Sequence, residues 1–475
     1  MLPFITPKLS DMQAGFRKGR GCRDNITILI MTVNHLLQGA EQGIVQAVIP
    51  YIDFTAAFDS ISHSYLTRAL KEYGVPLKYC RLVKAIYNSA EARVRLQEPG
   101  GYRSYSRNIP IRRGVIQGDI PSPVCFLVAL DKLLKVHGML DMGVPLTINL
   151  SIAELEYADD AALPCPNADI ATERLTNLDH HAKSKAGMSI SIPKTKVQHI
   201  MRQPKMSCTT EDDIANLPPE KQFKFICEKC DMNYPTKHGL AVHQGRWCKK
   251  RKNARRPNRT GTVADRLIKR IKTEKHQQQL PKVQIGQEVL ENVYSFVYLG
   301  AEIASDGDPE VTIQHRIGIA WGRFGEYRQV LSATKLPVNT RIRLYRALIV
   351  STMTYGCCAW LFTTPMRKKW NGVNSKMLSQ ITHRSIHQEA AKPTFDIVDF
   401  ILKQRWEYLG HVLRLDHHLA LRRFILELLP SEPPFHNGSL LADTNFRSIN
   451  LMIEEAANRD LWRKSRTKRQ VVQMS

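Results

Sequence analysis

Two apolar runs of the sequence carry aspartate at their ends, and this pattern constrains the fold more than any other feature. Residues 47–54, AVIPYIDF, are typical of a buried strand, with Asp53 at its end. Residues 155–164, LEYADDAALP, contain two short apolar runs joined through Asp159 and Asp160, which predicts a hairpin. Desolvated carboxylates cost free energy unless a cation offsets their charge. We therefore expect paired strands that bring the three aspartates to one divalent metal ion.

Oxygen ligands without a nearby histidine or thiolate favour Mg²⁺ or Mn²⁺ over zinc. Two such ions, about 3.5 to 4 Å apart, can activate an attacking 3′ hydroxyl and stabilise a leaving pyrophosphate. The alternative is that the adjacent aspartates only form a turn, which is the usual role of an isolated pair. The sequence around the pair is what favours the metal site.

The first 202 residues alternate strand-like and helix-like runs, which indicates a mixed α/β domain. We find no internal repeat, and we expect the last 30 or so residues to be weakly ordered. Proline occupies the favoured first position of the third predicted helix. Helices are predicted over residues 63–73, 77–88, 123–136, 340–356 and around 405–415, and a further strand over 293–300.

Several short motifs resemble, in content and order, the palm motifs of reverse transcriptases. QAGFRKGRGCRDNI (13–26) narrows the resemblance to the non-LTR, LINE-type retrotransposons, and YLGHVLR looks like the thumb region of the same elements. The resemblance covers about residues 13–202 and resumes near 290–415. The palm-like motifs are DFTAAFDSISH (53–63), GVIQGDIPSP (114–123), YADD (157–160), SIPKTK (191–196) and VYLG (297–300).

The resemblance implies a right-hand polymerase with α/β palm, partial fingers and helical thumb. Asp53, Asp159 and Asp160 match the family's metal-binding catalytic triad. Lys194 matches the lysine proposed as general acid to the pyrophosphate, although Lys196 is close enough to leave the choice open, and a solvated lysine is the alternative.

Other positions match family residues that contact nucleotide or template. Phe58 matches an aromatic steric gate against the ribose 2′ hydroxyl, with a core aromatic as the alternative. Gln117 and Gly118 match the loop beneath template and incoming nucleotide, where glycine permits close backbone approach; the alternative is an ordinary turn. Arg17 and Arg20 match residues that contact triphosphate or template phosphates, with a simple surface role as the alternative.

The chain also departs from the family pattern. Pro121 stands where the family has a bulky apolar residue, and the segment around Pro193 lacks the usual asparagine. The chain starts only 12 residues before QAGF. We therefore expect a region of fingers and palm that is truncated at its amino terminus, in a fragment or decayed copy of an element.

A second metal site is predicted between these motifs. The spacing Cys-x2-Cys-x12-His-x4-Cys suits tetrahedral zinc, and Phe225, Tyr234 and Leu240 stand where a small ββα finger keeps its core. So small a core should depend on metal to fold. The alternative is a chance arrangement of thiols. The predicted zinc ligands are Cys227, Cys230, His243 and Cys248.

The charge of the chain points to a polyanionic partner. The net charge is +24, and residues 246–275 hold 13 Lys and Arg against 2 Asp and Glu. No stretch approaches about 18 consecutive apolar residues, so we expect no membrane partner. The basic run is predicted to contact nucleic acid or to direct nuclear import, with a solvated linker as the alternative. Its residues are Lys249, Lys250, Arg251, Lys252, Arg255 and Arg256.

The cysteines outside the zinc spacing are scattered, which favours a reducing compartment, nuclear or cytoplasmic. The expected division of the chain is fingers and palm over 1–202, a linker over 203–224, the zinc finger over 225–248, a basic linker over 249–285, a primer-grip-like strand ending the palm over 286–302, helical thumb and connection over 303–415, and a carboxy-terminal tail over 416–475.

The resemblance implies an RNA-directed DNA polymerase that extends a DNA 3′ end on an RNA template with dNTPs. One alternative is a catalytically inactive remnant that binds nucleic acid through its zinc finger and basic run. A second is an intron-encoded maturase, against which the AGFR block and the YLGHVLR segment argue.

Overall fold

The computed structural model forms two compact units. One contains Met1–Arg202, Lys282–Glu291 and Ser295–Ser475, and the other contains Gln203–Pro281 and Asn292–Tyr294. The structure describes residues 1–97, 103–135, 142–203, 276, 279–383, 395–417, 419–427 and 449–472, with strand backbone alone at 225–227 and 232–234 and helix backbone alone at 467–472.

The helices that the structure describes are mostly amphipathic and pack their apolar faces inward. None of these helices is long and apolar enough to cross a bilayer. They are α1 (Leu2–Ile5), α2 (Cys22–Leu37), α3 (Ala57–Ser60), α4 (His63–Glu72), α5 (Leu77–Asn88), α6 (Ser122–Leu134), α7 (Ala168–His181), α8 (Pro309–Glu326), α9 (Arg328–Leu331), α10 (Val338–Tyr345), α11 (Ser351–Met353), α12 (Thr364–Thr382), α13 (Ile397–Leu413), α14 (Ala420–Glu427), α15 (Ile449–Ala457) and α16 (Arg459–Val472).

The strands are short, apart from the first and the tenth. They are β1 (Val45–Ile52), β2 (Glu91–Ala92), β3 (Arg95–Gln97), β4 (Arg103–Tyr105), β5 (Ile109–Pro110), β6 (Val144–Thr147), β7 (Leu150–Ile152), β8 (Leu155–Tyr157), β9 (Asp160–Ala162), β10 (Lys196–Met201), β11 (Phe225–Cys227), β12 (Met232–Tyr234), β13 (Gln284–Ile285), β14 (Glu288–Val289), β15 (Glu291–Asn292), β16 (Ser295–Tyr298) and β17 (Ala301–Ala304).

The central sheet has five strands in the order β15-β10-β1-β9-β8. Strand β1 pairs antiparallel with β10 on one side and with β9 on the other, and β8 and β9 form a hairpin. Side chains of β1 alternate between two apolar cores: Val48 and Ile52 face one, Ala47 and Ile49 the other. Because both faces of β1 are buried, its sequence is a continuous apolar run and does not alternate between apolar and polar residues.

Helices α4 to α7 cover one face of the sheet, and α2 with the carboxy-terminal helices covers the other. The predicted helix over 77–88 agrees with α5 residue for residue. The helix predicted over 340–356 is present as a continuous helical run from Val338 to Met353, in which a π-helical turn at Arg346–Val350 joins α10 to α11.

The expectation of a weakly ordered carboxy-terminal segment is wrong for residues 449–472, where the structure has α15 and α16. The indole ring of Trp462 stacks on that of Trp406 with centroids 4.3 Å apart, and each indole nitrogen donates to the other residue's carbonyl, at 2.9 and 3.0 Å. Gly410 permits this contact, because a Cβ there would lie 2.2 Å from the indole nitrogen of Trp462. The apolar residues of α15 do recur at helical spacing, at Ile449, Met452, Ile453 and Ala456, so this helix was overlooked in the sequence, whereas α16 has few apolar residues to reveal it.

Candidate active site

The register of the central sheet brings the three aspartates to one edge. Tyr51 pairs with Ala162 and Ile52 with Ala161, so the next position, Asp53, comes opposite Asp160. Asp159 lies in the turn between β8 and β9. Asp160 is exposed as a residue, yet desolvation of its carboxyl raises its pKa, and the charges of Asp159 and Asp53 raise it further. The three carboxylates are therefore close enough to repel one another.

The turn that carries Asp159 requires an unusual backbone conformation. Tyr157 pairs with Asp160, which leaves Ala158 and Asp159 as a two-residue turn, and Ala158 has a φ of 56°. A left-handed conformation at alanine costs about 1 to 2 kcal/mol, so other contacts must hold it.

Gln13 supplies those contacts. Its side-chain oxygen accepts hydrogen bonds from the backbone N–H of Ala158 at 3.2 Å and of Gly15 at 2.9 Å. Gly15 lies so near the turn that a Cβ there would come within 2.5 Å of the Ala158 nitrogen. The QAGF motif therefore packs directly against the YADD turn, which explains its glycine.

The other end of the Gln13 amide binds Glu156 on β8. Its nitrogen donates to Oε2 of Glu156 at 2.8 Å, inside the protein, while Oε1 of Glu156 is buried without a hydrogen bond. Burial raises the pKa of Glu156 well above its usual range, and the neighbouring carboxylates of Glu154 and Asp131 raise it further. A neutral carboxyl at Glu156 suits this environment.

The sequence revealed the QAGF motif, but the roles of Gln13 and Glu156 were not predicted from it. The signal that could have found them was a polar side chain beside the short apolar strand of YADD, because a glutamate inside a predicted buried strand needs a partner.

Lys194 lies beside Asp53, and its role as general acid stays a prediction. Its Nζ is 3.5 Å from Oδ1 of Asp53, an atom that otherwise has no hydrogen bond, and its side chain is 70% exposed. Lys196 instead donates to the carbonyl of Pro193 at 2.7 Å and to Glu291 at 2.5 Å. Of the two lysines that the sequence left open, the structure brings only Lys194 to the aspartates.

Phe58 is half-buried, and its ring stacks on Phe126 of α6 with centroids 4.0 Å apart. Its carbonyl accepts a hydrogen bond from the N–H of Val115 at 2.7 Å. The structure thus joins Phe58 to the loop that carries Gln117 and Gly118. The contact with Phe126 is the one expected of a core aromatic, and the steric-gate role stays a prediction.

Gln117 and Gly118 are exposed in the loop before α6. Gly118 has a φ of 88°, which glycine adopts without strain. Gly114, at the start of the same loop, has a φ of 83°, and a Cβ there would lie 2.7 Å from the backbone of Asp59. The loop is therefore packed closely on the segment after Asp53 at one end and open to solvent at the other.

Arg17 and Arg20 serve the amino-terminal block itself. Arg17 donates to the carbonyls of Ser10 at 2.6 Å and Gln13 at 3.0 Å, and Arg20 forms an ion pair with Asp11 at 3.4 Å with its side chain only 7% exposed. Both guanidinium groups are thus engaged away from the aspartates, which favours the structural alternative over phosphate contact.

No group of three or more His, Cys, Asp and Glu side chains is arranged to hold a metal ion in the part of the chain that the structure describes. The aspartates nevertheless have the donor chemistry of a hard cation site: only oxygen ligands, an Oδ1 on Asp53 that is buried without a hydrogen bond, and mutual repulsion. The residues present therefore fit Mg²⁺ or Mn²⁺.

The predicted zinc site lies outside the described residues, except for strand backbone. Strands β11 and β12 pair antiparallel, with Cys227 opposite Met232. Cys230, His243 and Cys248 lie outside the described residues, as does the basic run of Lys249, Lys250, Arg251, Lys252, Arg255 and Arg256.

The chain was compared with known protein families and proteins. Residues 1–230 match the family described as reverse transcriptase (RNA-dependent DNA polymerase). The Pol polyprotein from the retrotransposable element R2DM of Drosophila melanogaster is 28% identical over 197 residues, which cover 42% of this chain and 18% of that protein. That from the element R2 of Popillia japonica is 32% identical over 161 residues, which cover 30% of this chain and 22% of that protein.

The aligned segments thus span about a fifth of the length of these relatives. A solved structure of telomerase from Candida albicans, in complex with a fragment of telomeric RNA, covers 96% of this chain and 55% of that chain. It does so at 10% identity and a TM-score of 0.30, too low to bear on the fold.

The contact between Gln13 and the YADD hairpin predicts a specific loss of stability. Gln13→Ala leaves the N–H of Ala158 and the carboxyl of Glu156 without partners, and we expect a loss of about 1 to 3 kcal/mol in the free energy of unfolding. Urea denaturation measures it. Glu156→Gln is the control, because an amide replaces a neutral carboxyl of the same shape. Equal losses in both variants would contradict the proposed hydrogen bonds.

The repulsion among the aspartates predicts that Asp160→Asn stabilises the metal-free protein. Because the folded pKa of Asp160 is raised, its charged form destabilises the fold at pH above that pKa, and the penalty disappears as pH falls toward the unfolded value of about 3.9. Near neutral pH without metal, we expect a higher melting temperature for Asp160→Asn than for wild type. Adding Mg²⁺ should raise the melting temperature of the variant less than that of wild type. Glu41→Gln, which removes an exposed charge elsewhere, is the control. A lower melting temperature for Asp160→Asn would refute the repulsion.

Proposed function

We propose that this chain, whose residues 1–230 match the reverse transcriptase family and which is similar to R2 non-LTR retrotransposon polyproteins, is an RNA-directed DNA polymerase with a right-hand fold. It extends a DNA 3′ end on an RNA template with dNTPs. The observation that carries the proposal is the pairing of β1 with β9, whose last pair is Ile52 with Ala161, so that Asp53, Asp160 and the turn of Asp159 adjoin the same end of this pairing. Family membership alone would not require these three carboxylates to be intact and adjacent.

The carboxylates of Asp53, Asp159 and Asp160 would hold the divalent metal. When bound, Mg²⁺ or Mn²⁺ supplies Lewis-acid activation of the 3′ hydroxyl and stabilises the leaving pyrophosphate. The protein's own contribution is positional: β1 and the β8–β9 hairpin keep the carboxylates together, and the Gln13 contacts hold the turn against its strain.

Lys194 is placed to act beside this site. Its exposed ammonium can leave the 3.5 Å contact with Asp53 and approach a triphosphate, where it would donate a proton to the departing pyrophosphate. Phe58 and the loop of Gln117 and Gly118 are joined by the hydrogen bond from Val115 and would border the nucleotide from the other side. These roles rest on the family resemblance together with the placement of each residue.

The finger would bind Zn²⁺ through Cys227, Cys230, His243 and Cys248. The antiparallel pairing of β11, which ends at Cys227, with β12 supports this proposal, because a small ββα finger begins with two paired strands. With the basic run of residues 249–256 it would hold target DNA or element RNA and supply a signal for nuclear import. A single finger reads only about three base pairs, so phosphate contacts would dominate its affinity.

Primer extension tests the polymerase. Purified full-length chain is incubated with an annealed DNA primer and RNA template, dNTPs and Mg²⁺, and Asp159→Asn is expected to reduce extension at least about a hundredfold because metal binding is lost. Asp169→Asn, the same change at an exposed position at the start of α7, should leave extension unchanged. Absence of extension by the wild-type chain, with nucleic-acid binding retained, would instead support the inactive, nucleic-acid-binding remnant.

Zinc content tests the finger. We expect about one zinc ion per chain in protein purified without chelator, and none in Cys230→Ser, because a tetrahedral structural site does not survive loss of a thiolate. Atomic absorption measures the content. Cys208→Ser, a cysteine outside the predicted spacing, is the control and should keep its zinc. Wild-type protein without zinc would show that the thiols lie together by chance.

A further inference from the structure

Strands β2 to β5 form an interrupted two-stranded ribbon that projects from the reverse transcriptase domain. β2 pairs with β5, β3 pairs with β4, and the N–H of Ser106 donates to the carbonyl of Val94 at 2.9 Å between the two pairs. Every described residue of β2, β3 and β5 is exposed, as are the two ends of β4. The ribbon therefore buries little on either face.

The ribbon segment has a strong excess of positive charge. Residues 91–113 contain six arginines and two glutamates. Glu91 and Arg93 both bind the side chain of Asn108. Within the described residues, no ion pair joins Arg95, Arg103 or Arg107 to a carboxylate.

The register collects several of these groups on one face. Arg95 pairs with Tyr105, and Gln97 pairs with Arg103. Because alternate residues of a strand share a face, these four side chains lie together, with Leu96 on the opposite face. We name the set Arg95, Gln97, Arg103 and Tyr105 the arginine-tyrosine face. Tyr105 is 59% exposed and thus presents much of its ring to solvent.

An isolated two-stranded ribbon is at best marginally stable in water. A bound partner would therefore stabilise this ribbon more than its own side chains do. Arginine forks match phosphate oxygens, and an exposed aromatic ring stacks on any base. The ribbon also runs directly into the loop of Gln117 and Gly118, since Arg113 forms a β-bridge to Ser62 just before Gly114. A strand lying on the face would be held near the proposed template side of the site.

We propose that the arginine-tyrosine face binds a single nucleic-acid strand, with Arg95 and Arg103 contacting phosphates and Tyr105 stacking on a base. The identification of this strand as the template rests on the proposed function. The binding itself uses residues other than the three aspartates. A protein partner fits less well, because the face holds two cations, an amide and one ring, with no apolar side chain.

Equilibrium binding of the full-length chain to short fluorescent strands tests the proposal, without dNTPs or divalent metal so that catalysis plays no part. We expect Arg95→Ala/Arg103→Ala to lower the slope of log affinity against log salt by about 1.4, at about 0.7 per phosphate on a single strand. Tyr105→Ala should weaken binding about tenfold, and Tyr105→Phe should not, because phenylalanine keeps the stacking ring. Comparing RNA, DNA and duplex of one sequence identifies the favoured strand.

Arg68→Ala/Arg81→Ala removes the same charge from exposed positions on α4 and α5 and should leave the slope near wild type. Arg95→Lys/Arg103→Lys keeps the charges, so it should restore the slope even if the alanine pair alters the ribbon. An unchanged slope in the alanine pair would overturn the proposal. An altered oligomeric state in sedimentation with unchanged binding would also overturn it and would identify a protein contact. If the wild-type chain fails to extend a primer but binds a strand through this face, only the proposed polymerase activity is contradicted.

Discussion

Three carboxylates of like charge stand at one edge of a sheet, and much of the structure serves to keep them there. Burial raises the pKa of the Asp160 carboxyl, and the charges of Asp159 and Asp53 raise it further. This repulsion is resisted by the antiparallel pairing of β1 with β9 and by Gln13, which binds the N–H of Ala158 and the carboxyl of Glu156. Without these contacts the left-handed turn and the charges would together favour an open hairpin.

The support for this edge is a strand buried on both sides. β1 contributes alternate side chains to two apolar cores, so helices α4 to α7 and the carboxy-terminal helices pack against the same backbone. Motifs far apart in the sequence thus converge on one element. The stacking of Trp462 on Trp406, made possible by Gly410, joins the last helix to α13 and completes the second core.

Much of the site was predictable, because the three aspartates end or join apolar strands and the SIPKTK motif, which leads into β10, resembles the lysine motif of the family. The pattern could not choose between Lys194 and Lys196, since both follow the same turn and only the ion pair with Glu291 removes one of them. Nor could it assign Arg17 and Arg20, whose partners are backbone carbonyls and an aspartate brought near by folding. Helix α16 was missed because it is strongly charged and is held through the contacts of Trp462 with α13, whereas the apolar pattern of α15 was present in the sequence and overlooked.

The sequence by itself determined the kinds of element, the order of the motifs and the residue types able to bind a divalent cation, because periodicity and local chemistry are properties of short segments. Tertiary structure alone decided which groups meet: Asp53 with Asp160, Gln13 with Glu156, and Arg95 with Tyr105 across an exposed ribbon. The physical reason is that strand register and burial arise from packing between distant segments. These set the desolvation, repulsion and hydrogen bonding of each group, and no local pattern encodes them.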